Sequence, residues 1–346
     1  MTRSVSRVVS VVILAVLVRG GASTRAVQDR QEVSLQQLLE LYDLGEFDTA
    51  RDAVRSASRS GDLRVVLEAL EREGEKWITA DGEAHHNRRN LTAALFALEV
   101  AEAGLDQQWS NSHQLLEWAC TRMRTQRQRT EVERTFHLAA IALIEGARDV
   151  KALDEHVAHV AKRFPDEPRI LLARAFKAEV EYWRLYRTIA GGVDGGSPAI
   201  IAPPLRKAAE RRENAREVAL RLGFLAQQKD QHDDALAELE KVAPGDDPGQ
   251  LYLAHLISGW AYEKLQKRSQ AEAAYRRALA VIPQAQSATL HLAVLLYEID
   301  RRSEANELVA RMLSADPAPD DPWRVYGYGD YRRFPLLMDR LRRSIQ

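Results

Sequence analysis

A chain of 346 residues with 49 Lys+Arg against 50 Asp+Glu carries a formal net charge of −1. That balance excludes the broad positive field that draws a protein to nucleic acid or to an anionic membrane. Cys120 is the single cysteine, which excludes an intramolecular disulfide and a zinc site built on several thiolates.

Residues 1–26 read as a signal peptide. Arg3 and Arg7 form a positive start, and Val8 to Val18, "VVSVVILAVLV", is an apolar core too short to span a bilayer. Cleavage after Ala22 or after Ala26 leaves small residues at the positions a signal peptidase reads. No cysteine follows, so there is no lipid anchor site. An uncleaved anchor is the alternative. The expectation is an exported chain, periplasmic or extracellular, with no membrane span once processed.

From residue 27 to 189 the pattern is helical. Ala, Leu, Arg and Glu dominate, and apolar residues recur at three- and four-residue steps. "LLELYDLGEFDTARDAV" reads as helix, turn and second helix, with Gly45, Phe47 and Ala50 at the spacing of the turn and second helix. "NLTAALFALEVAEAG" and "HQLLEWACTRMR" read as a pair around 106–112. "FHLAAIALIEGARDVKALDEHVAHVAKRFPDEP" is another pair, with Gly146 near its turn and Pro165 at its stop. A long helix follows, from about Pro168 to Ile189. Residues 190–204, "AGGVDGGSPAIIAPP", have four glycines and three prolines and read as a linker between two segments.

Residues 205–317 repeat internally. In "HLISGWAYEKLQKRSQAEAAYRRALAVIP" and "TLHLAVLLYEIDRRSEANELVARMLSADP", Gly259 aligns with Ala293, Ala271 with Ala305, Tyr275 with Val309 and Pro283 with Pro317, every offset being 34. "ALRLGFLAQQKDQHDDALAELEKV" is an upstream copy with Gly223, Ala235 and Leu239, set 36 residues earlier. Small residues at Gly259 and Ala271 let two helices cross closely, Tyr262 and Tyr275 fill the space beside the crossing, and Pro283 ends the second helix.

This pattern resembles the tetratricopeptide repeat, whose period is 34 residues; Gly259, Tyr262, Ala271, Tyr275, Ala278 and Pro283 carry the resemblance. It implies an all-α, right-handed α-α superhelix, a solenoid of stacked helix pairs. It also makes 27–189 a diverged version of the same repeat, with Leu153 where the small residue of the second helix is expected. The function it implies is a non-catalytic scaffold that binds a protein or peptide in a groove lined by first helices. By helix face, the groove candidates are Arg221, Gln227, Tyr252, His255, Glu263 and His291. The alternative is an enzyme or small-ligand-binding protein with its site in the N-terminal half.

Other chemistry is thin. "GGVDGG" lacks the spacing of a phosphate loop. His156 and His159 stand three apart, but the HExxH pattern is missing, so no metal is expected. His85 and His86 read as part of a connector, as does "RMRTQRQR" with Arg122, Arg124, Arg127 and Arg129, whose other reading is a basic patch for an anionic partner. Asn90 opens a glycosylation sequon placed at a helix start. Cys120 reads as a buried small hydrophobe. No catalytic constellation and no cofactor motif stands out.

Residues 318–346 close the chain. "DPWRVYGYGDYRRFP" carries Trp323, Tyr326, Tyr328 and Tyr331, and "FPLLMDRLRRSI" reads as an amphipathic helix with Phe334, Leu337, Leu341 and Ile345 on one stripe. Together they are expected to cap the exposed end of the array, with Tyr hydroxyls and Arg heads in water. A binding site is the alternative.

Overall fold

The computed structural model describes residues 34–50, 52, 63–80, 82–105, 108–125, 129–189, 200–242, 244–245, 247–317 and 319–346. The leader expected at 1–26 and residues 190–199 of the expected linker lie outside this set. Among the described residues all regular structure is helical. No described helix is long and apolar enough to cross a membrane. The chain divides into two compact units, one of 1–147 with 333–346 and one of 148–332. The division therefore falls at Ala147/Arg148 and again at Arg332/Arg333.

The first unit contains α1 (Leu35–Asp43), α2 (Leu63–Ala69), a π turn (Leu70–Gly74), α3 (Glu75–Thr79), α4 (Glu83–Ala103), α5 (Trp109–Thr125) and α6 (Thr130–Ala147). Ser34 and Gln37 form a capping box that starts α1. At its end Gly45 adopts φ 90°, and the Glu46 N–H donates back to the Leu41 carbonyl at 2.9 Å. That left-handed turn is where glycine costs least. α4 is buried along most of its length, because α1, α3 and α5 pack around it. His85 and His86 lie inside α4 rather than in a connector. Asn90 is also inside it, buried, with its side chain donating to the Arg122 carbonyl at 3.1 Å. A buried, bonded Asn is no glycan acceptor, so the sequon is structural. Arg122 and Arg124 close α5 rather than forming a connector.

The C-terminal helix, α16 (Phe334–Arg342), belongs to this first unit, where it packs against α6 and α4. Phe334, Leu337, Leu341 and Ile345 are buried, as their stripe predicts.

The second unit runs α7 (Val150–Arg163), α8 (Arg169–Ile189), α9 (Ala202–Ala209), α10 (Ala215–Gln228), α11 (His232–Leu239), α12 (Pro248–Lys264), α13 (Arg268–Val281), α14 (Gln286–Glu298) and α15 (Arg302–Leu313). Neighbours in sequence pack as neighbours in space, and α10/α11, α12/α13 and α14/α15 are helix pairs. A Cβ on Gly259 would stand 2.2 Å from the Tyr275 ring, and one on Gly223 would stand 2.7 Å from Leu239. Both glycines are thus required by the close crossing that the repeat predicts. Ala235, Ala271 and Ala305 are fully buried at the equivalent second-helix positions.

The turns repeat as well. Asp230, Gln266 and Asp300 take φ of 58°, 58° and 62°. One residue on, the N–H groups of Gln231, Lys267 and Arg301 donate to Ala226, Tyr262 and Leu296 carbonyls at 3.0, 2.8 and 2.8 Å. This is the Schellman closure, here without glycine. It is the same turn that Gly45 makes in the first unit.

Candidate functional site

Three first helices, α10, α12 and α14, present equivalent residues side by side. Phe224, Trp260 and Val294 form one row across them, and Leu220, Leu256 and Leu290 form another, at spacings of 36 and 34 residues. The segment 321–332 lies across the Phe224 and Trp260 positions. Trp323 stands edge-on to Trp260 with ring centroids 4.6 Å apart, and edge-on to Phe224 at 5.5 Å. Tyr326 stacks on Trp323 at 5.7 Å and meets the Phe224 ring at 5.4 Å. Such offset and edge-to-face pairs add to the gain from burying the rings.

Polar anchors hold both ends of the segment. α14 starts at Ala285, which has no side chain to cap it. Asp321 supplies the cap: one carboxylate oxygen accepts from the Ser287 N–H at 2.6 Å, the other from the Trp323 N–H at 3.0 Å. At the other end Arg332 donates to Asp247 at 3.1 Å and also pairs with Glu217. Between them the Gly327 carbonyl accepts from Arg148 at 3.1 Å, and the Arg148 guanidinium lies over the Tyr328 ring. So the aromatic stretch expected to cap the array's end instead lies on its first helices. Tyr326 is buried and the Arg332 side chain is 5 % exposed, so neither head reaches water.

Beneath the segment sits a buried charge network that is invisible in the linear sequence. Glu217, on α10, accepts from Arg221 at 2.7 Å on one oxygen and from Gln250 at 2.9 Å and Arg332 on the other. Arg221 also donates to Glu179 of α8 at 2.7 Å. Burial pushes the Glu179 carboxyl up, and Arg221 offsets that only in part. Burial would push Glu217 up too, but Arg332, Arg221 and Arg169 together hold it below the usual carboxylate range. Two carboxylates pushed apart can signal acid–base chemistry. Here both Glu217 oxygens already accept from Arg or Gln side chains, and Glu217 is 1 % exposed. The network therefore reads as the seat of the segment.

The six groove candidates separate into two groups. Tyr252, Arg221 and Gln227 are buried and are packing residues rather than open lining. The Tyr252 hydroxyl accepts from the Ala288 N–H at 3.3 Å, and Gln227 pairs with His232 at 2.9 Å. His255, Glu263 and His291 are half-buried. Burial, with Arg277 nearby, pushes His255 down to about 4, and burial also lowers His291. Glu263 is raised by burial. His291 brings its ring to 5.3 Å from Trp260 and stacks on Tyr275 at 5.6 Å. Helix face alone missed Phe224, Trp260 and Val294; their 36- and 34-residue spacing could have found them.

Elsewhere, His156 and His159 have ring centroids 6.4 Å apart on α7. Cys120 is buried, and burial pushes its thiol up to about 12, far from a reactive thiolate. In the first unit a cleft of about 300 Å³ is lined by Arg129, Arg340, Arg343, Glu131, Thr135 and Ser344, among others. No protein-family model matches the chain, and no curated protein is similar to it.

Proposed function

We propose that this protein is a non-catalytic scaffold of the tetratricopeptide type, a right-handed superhelix of helix pairs that binds a protein or peptide on its first helices. One observation carries the reading: those helices already hold a stretch of short 3₁₀ turns, Asp321 to Arg332, through aromatic side chains and a capped helix start. A surface that seats one polypeptide this way has the chemistry to seat another. At Glu217 both carboxylate oxygens are already taken by Arg and Gln side chains, which argues against a reaction at that residue. With the signal-like residues 1–26, the site of action is the cell envelope or outside the cell. Crosslinking pull-down of the tagged, exported chain tests this, and failure to recover a reproducible protein partner overturns it. Fractionation tests the location, and a tagged chain confined to the cytoplasm overturns that part.

A second reading is favoured by the cleft in the first unit. Arg129, Arg340 and Arg343 around about 300 Å³ suit a small anion, because guanidinium groups bind phosphate and carboxylate in two-point contacts. Titration with inorganic pyrophosphate at fixed ionic strength discriminates: a saturable rise in melting temperature, lost in Arg343→Glu, favours a small-ligand protein.

A further inference from the structure

The seated segment covers only part of the surface it lies on. At the first two first helices the row positions are covered: Leu220 and Leu256 are fully buried, and Phe224 and Trp260 pack against Trp323. At the third, the equivalent residues are open, Leu290 being 41 % exposed and Val294 57 %, and Tyr297, which belongs to neither row, is 44 % exposed beside them. They stand at steps of four and three along α14, so they share one helix face. Isolated exposed apolar residues are ordinary, but here the three share a face, and Leu290 and Val294 continue rows that are filled next door.

We propose that Leu290, Val294 and Tyr297 form the open seat of the first-helix surface, and that its occupant is a segment of a partner protein anchored by an aromatic side chain. This rests on the scaffold reading above and specifies where on it a partner has access. The argument is continuity. Trp323 fills the row position shared by Phe224 and Trp260, and Val294 occupies the same position one helix further on. An aromatic ring laid there meets Val294 and Leu290 much as Trp323 meets the first two helices. The rows that Asp321 to Tyr326 cover are used within the chain, which leaves α14 as the accessible part. An acidic residue is not part of the requirement, because Asp321 already caps α14.

The test uses the full chain and a fluorescein-labelled peptide with the sequence DDPWRVYGYG, residues 320–329. Saturable binding is expected, weakened at least tenfold by Val294→Glu and by replacing the peptide's Trp with Ala. Val294→Glu should leave the melting temperature unchanged, because the side chain is exposed. Binding that survives Val294→Glu but falls in Phe224→Ala means the probe displaces the resident segment; it overturns this inference and leaves the scaffold reading standing. Absence of saturable binding overturns the inference, with the scaffold reading then judged by crosslinking alone. A dimer seen by sedimentation that Val294→Glu dissolves assigns the seat to a second copy and also overturns it.

Discussion

Each unit buries a glutamate against an arginine from the C-terminal stretch, with opposite electrostatic results. In the first unit Glu99 of α4 accepts from Arg342 at 3.0 Å and from the Tyr42 hydroxyl at 3.2 Å. Burial dominates and raises its carboxyl above the usual range, because one arginine does not compensate for lost water. In the second unit Glu217 is buried as deeply, yet Arg332, Arg221 and Arg169 together outweigh burial and lower it. A buried carboxylate is held ionised by the number of cations around it, not by the presence of one. The same contrast separates the roles of the two C-terminal pieces: α16 is a core helix of one unit, while 321–332 is a seated strap in the other.

The largest expected effect lies at Glu217. Glu217→Gln leaves Arg332 and Arg221 buried without their shared anion, a loss of about 3–5 kcal/mol. Chemical denaturation measures it, and hydrogen exchange should quicken first in α10 and α12. Glu99→Gln should cost less, because the ionised form of Glu99 is already disfavoured. Equal losses would break the comparison.

Next comes Leu341→Ala, which removes a fully packed side chain of α16 at a cost of about 2–4 kcal/mol. Exchange should quicken in α4 and α6. If it quickens in α12 and α14 instead, α16 belongs with the repeats.

Ala271→Leu overpacks the α12/α13 crossing and should cost about 1–3 kcal/mol. A variant that melts like the parent would show that the register built on Gly259 and Ala271 is mistaken.

The smallest effect is pH dependence. An unfolded imidazole takes its proton near pH ~6.5, whereas folded His255 does so only near about 4. The depressed value favours the neutral form, so stability is present above about 6.5 and is lost as pH falls toward about 4. His291 shifts in the same direction. His255→Asn should flatten part of that decline in denaturation midpoints measured at neutral and mildly acidic pH. An unchanged slope would show that His255 titrates as a solvated group.

Much of the local structure was legible in the sequence. Gly223, Gly259 and Ala271 mark close crossings because only small side chains fit there, and Phe334, Leu337, Leu341 and Ile345 mark a buried stripe because a helix turns every 3.6 residues. Gly45 marks a left-handed turn, but Asp230, Gln266 and Asp300 make the same turn without advertising it. Helix face misjudged Tyr252 and Arg221, because the segment that buries this surface comes from far along the chain. Asn90 matched a sequon placed at a helix start, and only packing of α4 against α5 shows that it is buried within the helix.

The sequence by itself determined most of the helices and, from α10 to α15, their pairing and the 34-residue register, because these rest on contacts between near neighbours; the pair it suggested for α6 and α7 is instead divided between the two units. Tertiary structure alone decided where the aromatic stretch goes. Arg332 and Glu217 are 115 residues apart, and Asp321 caps a helix that starts 35 residues earlier. No periodicity encodes such pairings; they follow from which buried charges and uncapped helix ends need partners once the pairs have stacked.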